Sequence, residues 1–165
     1  MTENQFEILI QINDETELYN SFDPNRKTIS ADLDEYIISC LKERNRGEKT
    51  LLHIVSDKEI DEMQFRKALD AYSDKKMSEL EKSKTANRFN AFRMFGIGVI
   101  FILIGIFLNG KIGDVPTTVI ETLGSFSIWE AANIWLEELP KLRFQQRIVK
   151  YLSTPEIVIE VRNAE

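Results

Sequence analysis

The chain has 165 residues, a single cysteine, a single histidine and a formal charge of −6. A lone Cys40 excludes an intramolecular disulfide, and with only His53 beside it no zinc site of the usual Cys/His kind can form. The charge is a sum of unlike parts: residues 1–65 hold 15 Asp/Glu against 7 Lys/Arg, whereas residues 66–93 hold 4 against 8. A nucleic-acid-binding domain would carry its basic surface on the folded part, and here that part is acidic.

Phe6–Ile12 alternates apolar with polar residues, as a half-buried strand does. The segment is short, has no basic flank and contains Glu7, so it does not read as a signal peptide. Asp23-Pro24-Asn25 is a turn signal within a polar stretch. Ser30 is the expected N-cap of a helix whose first turn carries Asp32, Asp34 and Glu35, where the helix dipole favours anions. Leu33, Tyr36, Ile37, Cys40 and Leu41 recur at helical spacing, which places the Cys40 thiol on the apolar face as a buried, inert group. Lys42, Arg44 and Arg46 close that helix and Gly47 is expected to end it. Leu51–Val55 follows as a second strand, so the head is a β-α-β unit with parallel strands.

Ser56 with Glu59 matches a capping box for the next helix. Phe65, Leu69, Tyr72 and Leu80 mark its apolar stripe, which thins after Tyr72 into a solvated stalk over 73–88 without Gly or Pro. The stalk runs into Met94–Gly110, which contains no charge and is apolar on every face. Its length, about 25 Å as a helix, is close to the minimum for crossing a bilayer core. A buried core helix is the competing reading, but the remaining chain is small and polar for enclosing it.

A polar turn over 109–116 leads to Thr117–Leu136, a less apolar segment holding Glu121 and Glu130. A single span is one model of this region; a two-helix transmembrane hairpin is the preferred one. Lys82, Lys84, Arg88 and Arg93 precede the first segment, and Lys141, Arg143, Arg147 and Lys150 follow the second, which puts both ends on the cytoplasmic side. Pro155–Val161 alternates like a strand and can then complete the sheet. The expected fold is an α+β membrane protein. Residues 1–88 form a cytoplasmic α/β domain with its stalk, and 89–140 the hairpin, with spans near 94–110 and 117–136. Residues 141–165 supply a basic helix and a strand that rejoin the domain.

Glu130 shares a helical face with Ser127, Asn133 and Glu137, spacings that draw an intramembrane polar stripe. One reading is a stripe lining a pore between subunits; the preferred one places Glu130 at the headgroups or as a hydrogen-bonded group holding helices together. Glu121 with Thr118 matches a capping box after Pro116. Gly96, Gly98 and Gly105 thin the first span for close helix packing, although not at the four-residue dimer spacing. Trp135 stands where an interfacial anchor is expected. His53 reads as a packed or edge residue with no carboxylate at motif spacing. No phosphate loop, metal-ligand pair or nucleophile elbow occurs, so no catalytic residue, metal or cofactor is expected and the chain does not read as an enzyme.

Gly124-Ser125-Phe126-Ser127-Ile128-Trp129-Glu130-Ala131-Ala132, ahead of a basic helix, resembles a pattern in uncharacterised prokaryotic two-span membrane proteins with a small cytoplasmic domain. The resemblance covers that part of the chain; it implies the hairpin and an inner-membrane location and brings no assigned activity. Two functions follow as expectations: a membrane-anchored, oligomeric scaffold or sensor with an unknown protein partner, or a small homo-oligomeric channel or membrane-disrupting effector. The bilayer and further copies of the chain are partners in both, and nucleic acid in neither.

Overall fold

The computed structural model describes residues 5–45, 47–111 and 113–162. Arg46 and Ile112, which the sequence reading placed in a helix end and a turn, lie outside the described residues. The chain divides into two compact units, 1–78 with 146–165 and 79–145.

The first unit is built on three parallel strands in the order β1-β2-β3. Strand β1 (Gln5–Ile12) pairs with β2 (Lys49–Ser56), which pairs with β3 (Glu156–Val161). The register runs Ile8↔Leu52↔Ile157 and Ile10↔Ile54↔Ile159, so alternate residues of all three strands share one inner face. Against it packs helix α1 (Ala31–Glu43) through Leu33, Ile37 and Leu41. Phe65 and Leu69 from the start of helix α2 (Glu62–Leu108), with Ile148 and Leu152 from the end of helix α4 (Leu139–Leu152), complete the core. Phe65, Leu69 and Leu152 are fully buried, each stabilising the fold by ~1.5–3 kcal/mol over its exposed state. The mixed α+β class, the parallel pairing and the strand contributed by the chain's last segment are therefore as the sequence indicates.

Local boundaries differ from the sequence reading in three places. Ser30 does cap α1, accepting from the Leu33 N–H at 3.3 Å, but the helix stops at Glu43 rather than at Gly47. The Asn45 N–H and side-chain amide both bond to the Glu48 carboxylate, which draws the chain out of the helix early. Gly47, at φ +95, serves the loop beyond. Ser56 is the last residue of β2 rather than a helix cap, because pairing on both sides carries the strand to Ile12↔Ser56↔Val161. The cap of α2 is instead Asp61, whose carboxylate accepts the Gln64 N–H at 3.1 Å. Cys40 is only half buried, at the margin of the core, and Tyr36 is exposed.

In the second unit, α2 is followed by helix α3 (Asp114–Asn133) and a π-helical turn, Ile134–Glu138, which leads into α4. The α3 helix begins after Gly113, at φ +88, and not at Thr118. Pro116 falls inside its first turn, where a missing N–H removes no helical bond. Thr118 is already helical and donates its hydroxyl to the Asp114 carbonyl at 2.8 Å, so the capping box with Glu121 does not form.

Candidate functional site

Within the second unit, α2 and α3 pack antiparallel. A Cβ on Gly105 would meet Glu121 Cγ at 2.6 Å, and one on Gly98 would meet the Gly124 carbonyl oxygen at 2.7 Å. Further along, the rings of Phe92 and Trp135 meet edge to face with centroids 5.4 Å apart. Ala91, Ile134 and Leu139 form a small buried cluster, and Asn87 Nδ2 donates to Glu138 Oε2 at 2.6 Å.

Of the three glycines singled out in the sequence, Gly98 and Gly105 do serve close packing, whereas Gly96 faces open space. Gly124 is the fourth participant, and a motif search along one helix could not find it. Its own Cβ would stand 2.9 Å from the Gly98 carbonyl oxygen and 2.8 Å from Ile102 Cγ1.

The polar stripe does not persist as an α-helix would draw it. Ser127 is half buried and donates to its own helix at the Leu123 carbonyl, 3.0 Å away; Asn133 is half buried. Glu130 is exposed and makes no hydrogen bond or ion pair among the described residues. The π turn then adds a residue to the winding, so that buried positions step from Ile134 to Leu139. Glu137 is turned outward, bridging to Lys141 at 3.4 Å, while Glu138 takes the bond from Asn87. Within α3 the carboxylate set against α2 is that of Glu121, half buried over Gly105 and not in the expected cap.

Every hydroxyl of α3 is bonded within the helix. Thr117, Thr118, Thr122, Ser125 and Ser127 each donate to the carbonyl four residues earlier, at 2.7–3.0 Å. The outer surface of the pair is apolar instead: Ile100, Leu103, Ile106 and Phe107 on α2, and Val115, Val119, Phe126 and Trp129 on α3, are all exposed. The most apolar window of α2 is only 17% buried, and among the described residues α2 is the one helix long and apolar enough to cross a membrane.

The first unit holds a cluster that the sequence reading missed. His53, on the central strand, bonds through Nδ1 to Glu7 Oε1 at 2.6 Å and through Nε2 to Glu160 Oε2 at 3.1 Å. The glutamates lie on β1 and β3, displaced along the strands from the residues paired with His53, Leu9 and Val158. The bond to Glu7, reinforced by Glu160, raises the His53 pKa above its ordinary 6.5. Because the two carboxylates occupy opposite ring nitrogens, the group bridges strands and does not converge on a metal position.

Elsewhere in this unit, Lys76 Nζ joins Asp34 Oδ2 at 3.1 Å and the Tyr72 hydroxyl at 2.9 Å. Burial, with the bond to Asp34 added, pushes the Tyr72 phenol up to about 12. A groove of about 860 Å³ opens beside Leu9–Ile12, bordered by the turn that carries Tyr19 and Phe22 and by the first turn of α1. The Tyr19 hydroxyl is buried without a partner among the described residues, and burial pushes its pKa to about 12. No nucleophile–base pair stands in this groove among its described residues.

No protein-family model matches this chain, and neither a curated protein nor a solved structure matches it.

Proposed function

We propose that the protein is anchored in a membrane by the α2–α3 pair, inserted as a two-span hairpin, and that it works as an interaction or sensor module whose α/β unit stands on the cytoplasmic side. The carrying observation is the inverted polarity of the helix pair. Large apolar side chains face outward, with Phe107 70% and Trp129 73% exposed, while the hydroxyls of α3 are satisfied inside the helix. In water such a surface is an aggregation hazard; in lipid it needs no further cover. The lower hydropathy of α3 comes from its two glutamates together with Asp114, Asn133 and its five hydroxyl residues. Glu121 is folded over Gly105 within the pair, and Glu130 lies one to two turns from Trp135, towards the end where basic residues gather. Basic residues flank the two apolar stretches at that shared end, which supports both termini on the cytoplasmic side.

Glu130, outward and unpaired, is the polar contact through which copies associate in the bilayer. An alkaline carbonate wash tests the anchor: the protein should remain in the membrane pellet and require detergent for release. Release by the wash would mean that the apolar faces are covered by protein, and the anchoring reading would fall.

A further inference from the structure

We propose that the charged end of the helix pair is a binding site for anionic phospholipid headgroups, with Arg88 and Arg93 as its phosphate ligands. The inference rests on the reading that the pair is embedded in a bilayer. Arg88, Phe89, Phe92 and Arg93 stand at positions i, i+1, i+4 and i+5 of α2, so they form one contiguous patch on its surface. All four are exposed, and Arg93 directly precedes the charge-free run that opens at Met94.

The two acids of the turn at this end are already engaged, Glu138 by Asn87 at 2.6 Å and Glu137 by Lys141 at 3.4 Å, while the unpaired Glu130 lies more than a turn further into the pair. Neither Arg88 nor Arg93 has a hydrogen bond or an ion pair among the described residues, and the same holds for Arg143 on α4. Guanidinium groups left open beside acids that are satisfied make a surface complementary to an anion. A planar fork of donors fits phosphate oxygens in pairs. The aromatic rings specify which phosphate. Phe89 and Phe92 flank the arginines and, with Trp135 against Phe92, make an apolar floor at the depth where acyl chains meet headgroups. A soluble phosphate would meet only the charges; a phosphodiester lipid meets both.

The test uses the full chain carrying Trp129→Phe, so that Trp135 is its sole tryptophan, reconstituted in phosphatidylcholine with brominated lipid as quencher. Brominated phosphatidylglycerol should quench Trp135 more strongly than brominated phosphatidylcholine at equal content. Arg88→Gln/Arg93→Gln should reduce the preference by on the order of fivefold per charge removed, and added salt should reduce it in the unsubstituted arginine background. Equal quenching by the two lipids would overturn the headgroup site while leaving the membrane reading intact. A preference that survives both salt and the double substitution would overturn the assignment to these arginines. No quenching by either lipid would show Trp135 outside lipid, and both readings would fall together.

Discussion

Gly98 and Gly124 face each other across the α2–α3 contact so closely that a methyl group on either would reach within 3 Å of the other's carbonyl oxygen: 2.7 Å from Gly98 and 2.9 Å from Gly124. An isoleucine Cγ1 stands as near in each direction, Ile128 at 2.6 Å and Ile102 at 2.8 Å, but the carbonyl is backbone and cannot rotate away as a side chain can. The backbone-to-backbone approach thus fixes where the two helices touch, and Gly105 repeats the device for the Glu121 side chain.

Gly98→Ala and Gly124→Ala should each destabilise the helix pair by about 1–3 kcal/mol, the usual penalty for overpacking. Gly96→Ala should instead leave it unchanged or stabilise it by ~0.5–1 kcal/mol, since that position meets open space and alanine favours the helix. Unfolding of the three variants in mixed detergent ranks them. Equal gains at all three positions would mean that helix propensity, and not the contact, decides the outcome, and equal losses would contradict the open space at Gly96.

Glu130→Leu removes the unpaired outward carboxylate and should lower the oligomer size in mild detergent, read by cross-linking or by light scattering. Glu137→Leu, at a residue already bridged to Lys141, should not. If the two variants behave alike, Glu130 has no special part in association.

The Glu7–His53–Glu160 bridge has a defined pH signature. The folded pKa of His53 lies above 6.5, so its contribution is fully present below that value and fades as pH rises through the folded pKa. Protection factors of the β3 amides, exchange rates corrected for the intrinsic base catalysis, should therefore fall from mildly acidic to alkaline pH, and His53→Gln should flatten that dependence. An NMR titration placing His53 at or below 6.5 would contradict the bridge.

Asp14 behaves oppositely. The bond from Lys58 Nζ, 2.5 Å from its carboxylate, is the main cause that holds its pKa at about 2, against 3.8 for a free side chain. Its contribution is present above pH 3.8 and is lost as pH falls through about 2. Lys58→Met should move the carboxyl resonance of Asp14 back towards 3.8; an unmoved titration would assign the depression to the Thr16 backbone bond.

Much of the first unit could be read from the chain because its signals are local. The alternation of Phe6–Ile12, the Ser30 cap and the spacing of Leu33, Ile37 and Leu41 each act within a few residues. What the sequence concealed depends on pairing. Glu7 and Glu160 stand 46 and 107 residues from His53, and only the strand register brings them onto its ring. Gly124 gains its meaning from Gly98 on another helix. The stripe through Ser127, Glu130, Asn133 and Glu137 assumed an unbroken α-helical phase, and the turn at Ile134–Glu138 exchanges Glu137 for Glu138 at the contact. Such a turn has no residue signature: it is a choice among backbone hydrogen bonds.

The most direct measurement is the sidedness of the hairpin turn. In a Cys40→Ala background, Lys111→Cys and Phe22→Cys each place one thiol, the first at the α2–α3 turn and the second at an exposed site of the α/β unit. A membrane-impermeant maleimide applied to intact bacterial cells expressing the variants should label the thiol of the Lys111 variant. It should reach that of the Phe22 variant only after lysis. Labelling of both from the same side, or of neither before lysis, would contradict a two-span hairpin with its α/β unit in the cytoplasm.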